Sequence, residues 1–272
     1  MLRLIIILSS FFVWTNLFSQ GEFKKYNYES GKLRCEGYVL DGKYTGEWTF
    51  YYESGGKQKH GYYKNSKGDS TWTYWDENGK FQQTGKYKDD KMEGLWVIFY
   101  PNGNKKLEEE YSRDIRDGIS IEWNDNGTKK VQGQYKNGIK EGSWITWYPN
   151  GSRQREENFF NGKVNGELIL WYDNGRVQSR GKIKKEKSEG EWKFWDANGN
   201  IMTIGNYKEG QWDGQWTDYY TNKQKNSAGT YKLDKKTGTW KYWTDDGKLK
   251  KEEAYTDGKL IKETNYAPDE KK

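Results

Sequence analysis

The sequence predicts an all-β fold: an elongated, single-layer antiparallel meander of 24-residue β-hairpin repeats, after an N-terminal signal peptide. Three observations carry this reading. One glycine recurs every 24 residues without insertion, at Gly31, Gly55, Gly79, Gly103, Gly127, Gly151, Gly175, Gly199 and Gly247, with Lys223 standing in once. Two aromatic columns recur in step with it and hold 13 of the 15 tryptophans. The composition of 32 Gly, 3 Pro and 17% aromatic residues suits short strands joined by tight turns, and excludes a helical bundle or a Pro-rich linker. Leu, Ile, Val and Phe together make only about 16% of the chain, a level usually read as disorder. The abundance of Trp and Tyr and the near balance of 46 basic against 40 acidic residues oppose that.

Taken in order, Met1 to Gln20 carries one early cation, Arg3, an apolar run from Leu4 to Trp14, and polar residues by Ser19 and Gln20. This is the layout of a secretory signal peptide over 1–20, and it places the rest of the chain outside the cytoplasm: periplasm, outer surface or secreted. An uncleaved membrane anchor is the alternative. The repeat sheet then occupies 21–262, in about nine to ten repeats, and a polar C-terminal tail occupies 263–272.

Within each unit, Trp48, Trp72, Trp96, Trp144, Trp192, Trp216 and Trp240 lie seven residues before the glycine, with Ser120 and Leu168 as exceptions. Four before it, Tyr51, Trp75, Phe99, Trp123, Trp147, Trp171, Trp195, Tyr219 and Trp243 form an unbroken aromatic column. Eight after it come Tyr63, Tyr87, Tyr111, Tyr135, Phe159, Ile183, Tyr207, Tyr231 and Tyr255. A further glycine column, from Gly46 to Gly238, lies nine before the anchor, with Ser70 as its exception. Asn-Gly at the anchor and Asn-Gly or Asp-Gly ending eleven residues after it mark two hairpin turns, since both residue types accept positive φ.

A two-residue loop at Asn-Gly sets the pairing: Trp48, Trp72, Trp192 and Trp216 face Gly61, Gly85, Gly205 and Gly229, an indole covering a glycine across the strand. Trp96, Trp144 and Trp240 face Glu109, Glu157 and Glu253 instead, while Gly133 faces Ser120. On this scheme Gly205 is crowded by Trp192 and Gly133 is not. Strand alternation puts the two aromatic columns on opposite faces, the second directly across from Gln58, Gln82, Lys106, Lys130, Gln154, Gln178 and Lys250. About 20 strands at ~4.8 Å make a sheet roughly 95 Å long.

Segments such as Tyr87-Lys-Asp-Asp-Lys-Met-Glu-Gly94-Leu-Trp96 and Tyr135-Lys-Asn-Gly-Ile-Lys-Glu-Gly142-Ser-Trp144 resemble MORN repeats, in the Trp-rich variant of YwqK-type antitoxin-like proteins. The resemblance spans about residues 24 to 262. It implies hairpins stacked in an elongated sheet and used for protein contacts, self-association or phospholipid contact.

No residue constellation singles out chemistry. His60 stands in a variable column and Cys35 is alone, which excludes an intramolecular disulfide framework and a multi-histidine metal centre. The acidic turns at Asp76 and Asn124 offer the beginning of a calcium ligand set without its closing carboxylate. The expectation is therefore a scaffold that is not an enzyme, with no cofactor or metal, binding an unidentified protein partner or itself. The alternative is a module for envelope polysaccharide or anionic lipid; nucleic acid is not expected without a one-sided basic stripe. The candidate binding-face aromatics are Trp48, Trp72, Trp96, Trp144, Trp192, Trp216 and Trp240 with Tyr63, Tyr87, Tyr135 and Tyr207. Against their exposure stands a structural reading, in which the ladders seal the faces of a thin sheet.

Overall fold

Apolar and polar residues alternate in blocks of eight or nine, and a turn signal follows each block. That pattern suits strands with one packed face, and the short spacing between turns makes each strand's partner its neighbour in sequence. The computed structural model describes residues 21–266, and over them the chain forms one 21-stranded antiparallel sheet. The pattern is set by β1 (Glu22–Asn27), β2 (Leu33–Leu40), β3 (Lys43–Tyr51) and β4 (Lys57–Lys64), and continues to β20 (Leu249–Thr256) and β21 (Lys259–Asn265). Pairing runs strand by strand along the chain, from β1 with β2 to β20 with β21, and leaves two free edges. The expected tail gives its first three residues to β21, while the expected signal peptide and residues 267–272 lie outside the described residues.

The Asn-Gly turn is not the predicted two-residue loop. Tyr52 N donates to Gly56 O at 2.8 Å and Gly55 N donates to Tyr52 O at 2.9 Å, and the same pair of bonds recurs at every anchor. Only the anchor residue has positive φ, 95° at Gly55, 79° at Gly79 and 71° at Lys223. This is a three-residue loop, a type I turn closed by a left-handed glycine. The register beyond it is nevertheless the predicted one, because a bulge follows: Tyr51 pairs with Lys57 but Phe50 with Lys59, leaving Gln58 over. One residue added in the loop and one added in the strand cancel, so Trp48 still pairs with Gly61. The second aromatic column consequently stands across from Lys57, Phe81, Lys105, Lys129 and Arg153, and not from the residues one further on.

The other turn is a true two-residue hairpin with both φ positive, as at Asn137 (50°) and Gly138 (80°). Sequences poorly suited to that conformation adopt it too, including Arg113-Asp114, Lys185-Glu186 and Leu233-Asp234. A carboxylate from the preceding repeat accepts from the first amide of two of them, Glu93 from Arg113 N at 3.1 Å and Asp213 from Leu233 N at 3.4 Å, as Glu189 does from Glu209 N at 3.0 Å in a turn that has glycine. The glycine column nine before the anchor is a bulge with φ of 65° at Gly46 and 126° at Gly166, and Ser70 adopts it at 59°.

Both rims are tied from one repeat to the next. Tyr52, Tyr100 and Tyr148 donate their hydroxyls to the carbonyls of Trp75, Trp123 and Trp171 at 2.8–2.9 Å. Asn102 Nδ2 reaches Asp125 O at 2.7 Å. The two ends close with charge. Lys24 stands opposite Gly37 where inner repeats carry an indole, and at the far end Glu263 faces Glu253 with Lys251 bridging the two at 2.5 and 3.5 Å.

Because each unit touches only its neighbours, whole periods are removable. Deleting Gly142 to Glu189, two periods, joins Glu141 to Gly190 as Glu189 was joined before. The expected product retains β-type circular dichroism and a cooperative melt. Deletion of Gly142 to Arg153, half a period, joins unlike strands and is expected to abolish the cooperative melt; aggregation of the two-period deletion would contradict nearest-neighbour stabilisation.

Candidate functional site

On one face, the first tryptophan column forms the core. Trp48, Trp72, Trp96, Trp144, Trp192, Trp216 and Trp240 are 0–9% exposed, although among the described residues no helix or second sheet covers them. Each indole lies flat on a glycine, but not on the one expected. Trp192 is backbone-paired with Gly205, yet its ring lies on Gly181 of the preceding strand: a Cβ there would sit 2.1 Å from Trp192 Cδ2, and Gly205 is covered by Trp216. Gly133 is covered in the same way by Trp144, with 2.2 Å to Cδ2, so it is as crowded as Gly205.

The true partner is therefore eleven residues earlier, and this removes every exception in the sequence scheme. Gly37, Gly61, Gly85, Gly133, Gly181, Gly205 and Gly229 underlie the seven indoles. Where the indole is missing, the glycine is missing too: Glu109 precedes Ser120 and Glu157 precedes Leu168. Five of the indoles also donate Nε1–H to a backbone carbonyl of the preceding strand, as Trp96 does to Lys86 O at 3.1 Å. Rings of Tyr63, Tyr87, Tyr135 and Tyr207 meet the indoles edge-on, 4.9 Å apart for Tyr63 and Trp72. The expected binding-face tryptophans are thus buried packing and offer almost no surface to a partner; the four tyrosines are half-buried among them.

Buried carboxylates fill the gaps in the ladder. Glu109 is 4% exposed and accepts from Ser120 Oγ at 3.1 Å, Tyr111 Oη at 2.7 Å and Arg116 Nε at 3.1 Å. Glu253 is pushed up by burial, but hydrogen bonds from Lys251, Tyr242 and Tyr255 outweigh this and hold its pKa at about 2, below the ordinary 4.5. Cys35 is buried at 2% exposure, and His60 Nδ1 is 3.0 Å from Thr49 Oγ1 on a half-exposed strand position. Asp76 Oδ1 accepts from the amides of Asn78 and Lys80 at 3.0 and 2.9 Å, so this carboxylate is occupied by its own turn.

The opposite face holds the surface that the sequence reading left out of its candidate list. Its aromatic column from Tyr51 to Trp243 is half-exposed throughout. Beside it, Val97, Ile121, Ile145 and Ile169 repeat at 24-residue spacing in four central units, where other units carry Thr49, Thr73, Lys193, Thr217 and Lys241. Phe81 (55%), Leu95 (50%) and Ile119 (48%) extend the apolar stripe. Cations border it, with Lys129 Nζ 5.7 Å from the ring centres of both Trp123 and Trp147. The signal was present in the sequence as a change of residue type within one column.

A family model described as a MORN repeat variant matches residues 44–65, 69–89, 92–113, 116–137, 140–161, 188–209 and 236–257, more than half of the chain. The intervening units, which contain Leu168 and Trp212, form the same hairpins. No curated protein matches the chain. Among solved structures, the crystal structure of TcdB2-TccC3-Cdc42 aligns at 12% identity and a TM-score of 0.22, and that of TcdB2-TccC3 at 12% and 0.21. Each alignment covers 89% of this chain but only 16% of the other, and the likeness is too slight to bear on fold or function.

Two measurements check the packing. Ser120→Trp alone sets an indole against Glu109 and is expected to cost about 2 kcal/mol by overpacking, whereas adding Glu109→Gly recreates the ladder pair and recovers most of it. Urea denaturation of the double-mutant cycle checks this; additive effects would show that indole and glycine are not coupled. For Glu253, the folded pKa is depressed, so its stabilisation is fully present above pH about 4.5 and is lost as pH falls towards about 2. Melting temperatures of wild type and Glu253→Gln should differ most above pH 4.5 and converge near pH 2.

Proposed function

The chain belongs to the MORN repeat variant family, and on that premise we propose that it is a non-enzymatic, exported scaffold whose stripe-bearing face docks another protein chain, a partner or a second copy. The observation that carries this is the half-exposed apolar stripe of Val97, Ile121, Ile145 and Ile169 beside an unbroken aromatic column. It is confined to central repeats, which a purely structural requirement would not dictate, since the flanking units form the same hairpins with Thr or Lys there. Export is supported by the Met1–Gln20 layout. The charged ends disfavour edge-to-edge growth, so self-association on this reading uses the face.

A double substitution, Ile121→Glu with Ile145→Glu, tests the proposal. It is expected to leave the melting temperature within a few degrees of wild type while abolishing either the captured envelope protein or the dimer seen in sedimentation. Recovery of neither a partner nor a dimer with wild type, or retention of the same species by the variant, would overturn it. Binding of the wild type to isolated wall polysaccharide, lost on substitution of Trp123 or Trp147, would instead favour glycan recognition on the same face.

A further inference from the structure

Four tryptophans of the ladder have a side chain of their own repeat lying against them from four residues earlier. Tyr44 stacks on Trp48 with ring centres 3.9 Å apart, and Trp212 lies 4.9 Å from Trp216. At two positions the covering group is an ammonium. Lys236 Nζ is 4.4 Å from the ring centre of Trp240, 5.4 Å from Tyr242 and 5.1 Å from Tyr255. Lys140 Nζ is 4.0 Å from Trp144 and 4.9 Å from Phe159. The chain thus builds an aromatic box around a cation and fills it with its own lysine.

Seven periods before Lys236, the corresponding residue is Gly68. The box is intact: Trp72, Tyr74 and Tyr87 occupy the positions of Trp240, Tyr242 and Tyr255, and Tyr63 adds a fourth ring 4.9 Å from Trp72. With no side chain on Gly68, a cavity of about 210 Å³ opens among these rings. A second difference accompanies the first. The turn residue that is Gly258 beside Lys236 and Gly162 beside Lys140 is here Asp90, whose carboxylate lines the cavity and accepts from Gly68 N at 2.5 Å. At the turn this box carries a carboxylate where the two lysine-filled boxes carry glycine, while its position 68 supplies no cation; the carboxylate of the Lys236 box is instead Glu253, bonded to Tyr242 and Tyr255.

We propose that the Trp72–Tyr74–Tyr87–Tyr63 box, with Asp90, is a binding site for a small quaternary ammonium group of the choline or betaine type. Such a group is weakly hydrated, matches the negative faces of the rings, and gains from the carboxylate without needing a directed hydrogen bond. Lys59 occupies the Phe50 side of the cavity, its Nζ 4.4 Å from Phe50 and 5.3 Å from Trp72. The ligand therefore enters from the side of Gly68 and Asp90. The site lies on the face opposite the apolar stripe and is independent of protein docking there.

Isothermal titration calorimetry of the full chain with choline chloride, against sodium chloride of equal ionic strength, tests this. The expected result is saturable binding with a dissociation constant on the order of 1 mM. Gly68→Lys reproduces the self-filled box of Lys236 at a backbone conformation any residue adopts, since Gly68 lacks positive φ, and should weaken choline binding more than tenfold. Asp90→Asn keeps the turn and removes the charge; it should weaken binding severalfold, and it serves alone if Gly68→Lys does not fold. Co-sedimentation with phosphatidylcholine vesicles distinguishes a lipid headgroup from a free solute as the source of the ammonium. No saturable binding by wild type, or equal binding by wild type and folded variants, would overturn the proposal.

Discussion

The structure depends on one contact: an indole laid flat on a glycine of the preceding strand. A single-layer sheet has no second layer to bury its apolar face, so any core must be made within the thickness of the side chains themselves. Glycine removes the Cβ that would hold the indole away, and the ring then covers backbone on both strands. A buried indole withdraws roughly 200 Å² from water, a gross gain of about 5 kcal/mol at 25 cal/mol/Å². The rim hydrogen bonds contribute nearer 1 kcal/mol each. The ladder therefore supplies most of the cohesion, and the rims fix the spacing at which the indoles can be laid down.

The remaining features follow from fitting that spacing. An indole must reach back over the preceding strand, and in every inner unit the strand bulges just ahead of the tryptophan, at Gly46 and its equivalents. The loop at the opposite rim carries an extra residue, cancelled by the bulge at Gln58 and its equivalents, so the two strands of a hairpin leave the turn in a register that keeps Trp48 beside Gly61. Turns such as Arg113-Asp114 lack glycine at left-handed positions; Glu93 of the preceding repeat accepts from Arg113 N, and Asp114 of the turn accepts in return from Met92 N. Many of the acidic residues thus serve the backbone.

The repeat length, the two columns and the faces were legible because each is a period, and periods survive in a single sequence. The register was also legible, though through a loop of the wrong length: two departures of one residue each cancel, and only backbone dihedrals separate that from no departure. The glycine beneath each indole was not legible by backbone pairing, since Trp192 is equidistant in strand order from Gly181 and Gly205. Side-chain lean decides between them. Yet the choice was written in the exceptions: Glu109 with Ser120 and Glu157 with Leu168 break the pattern together only if the partner lies eleven residues earlier. Burial of the seven tryptophans followed from the same lean and moved the candidate surface to the other face.

In such an array the uniform positions carry the fold, and information about ligands resides where a column departs from its own rule. Departures come in two kinds. Some are compensated within the chain, as Glu109 is by Ser120, Tyr111 and Arg116, and these leave nothing for a partner to satisfy. Others stay open: Val97 to Ile169 replace threonine and lysine with half-exposed apolar surface, and Gly68 removes the group that fills the equivalent box elsewhere. A repeat protein supplies its own controls for this distinction, because every open position can be set beside a filled one built from the same backbone. The comparison of Gly68 with Lys236 holds the strand and the flanking rings constant while the occupant, the turn residue and the neighbouring charges at Lys59 and Glu253 vary, and the lysine that fills the second box is what points to a cation in the first.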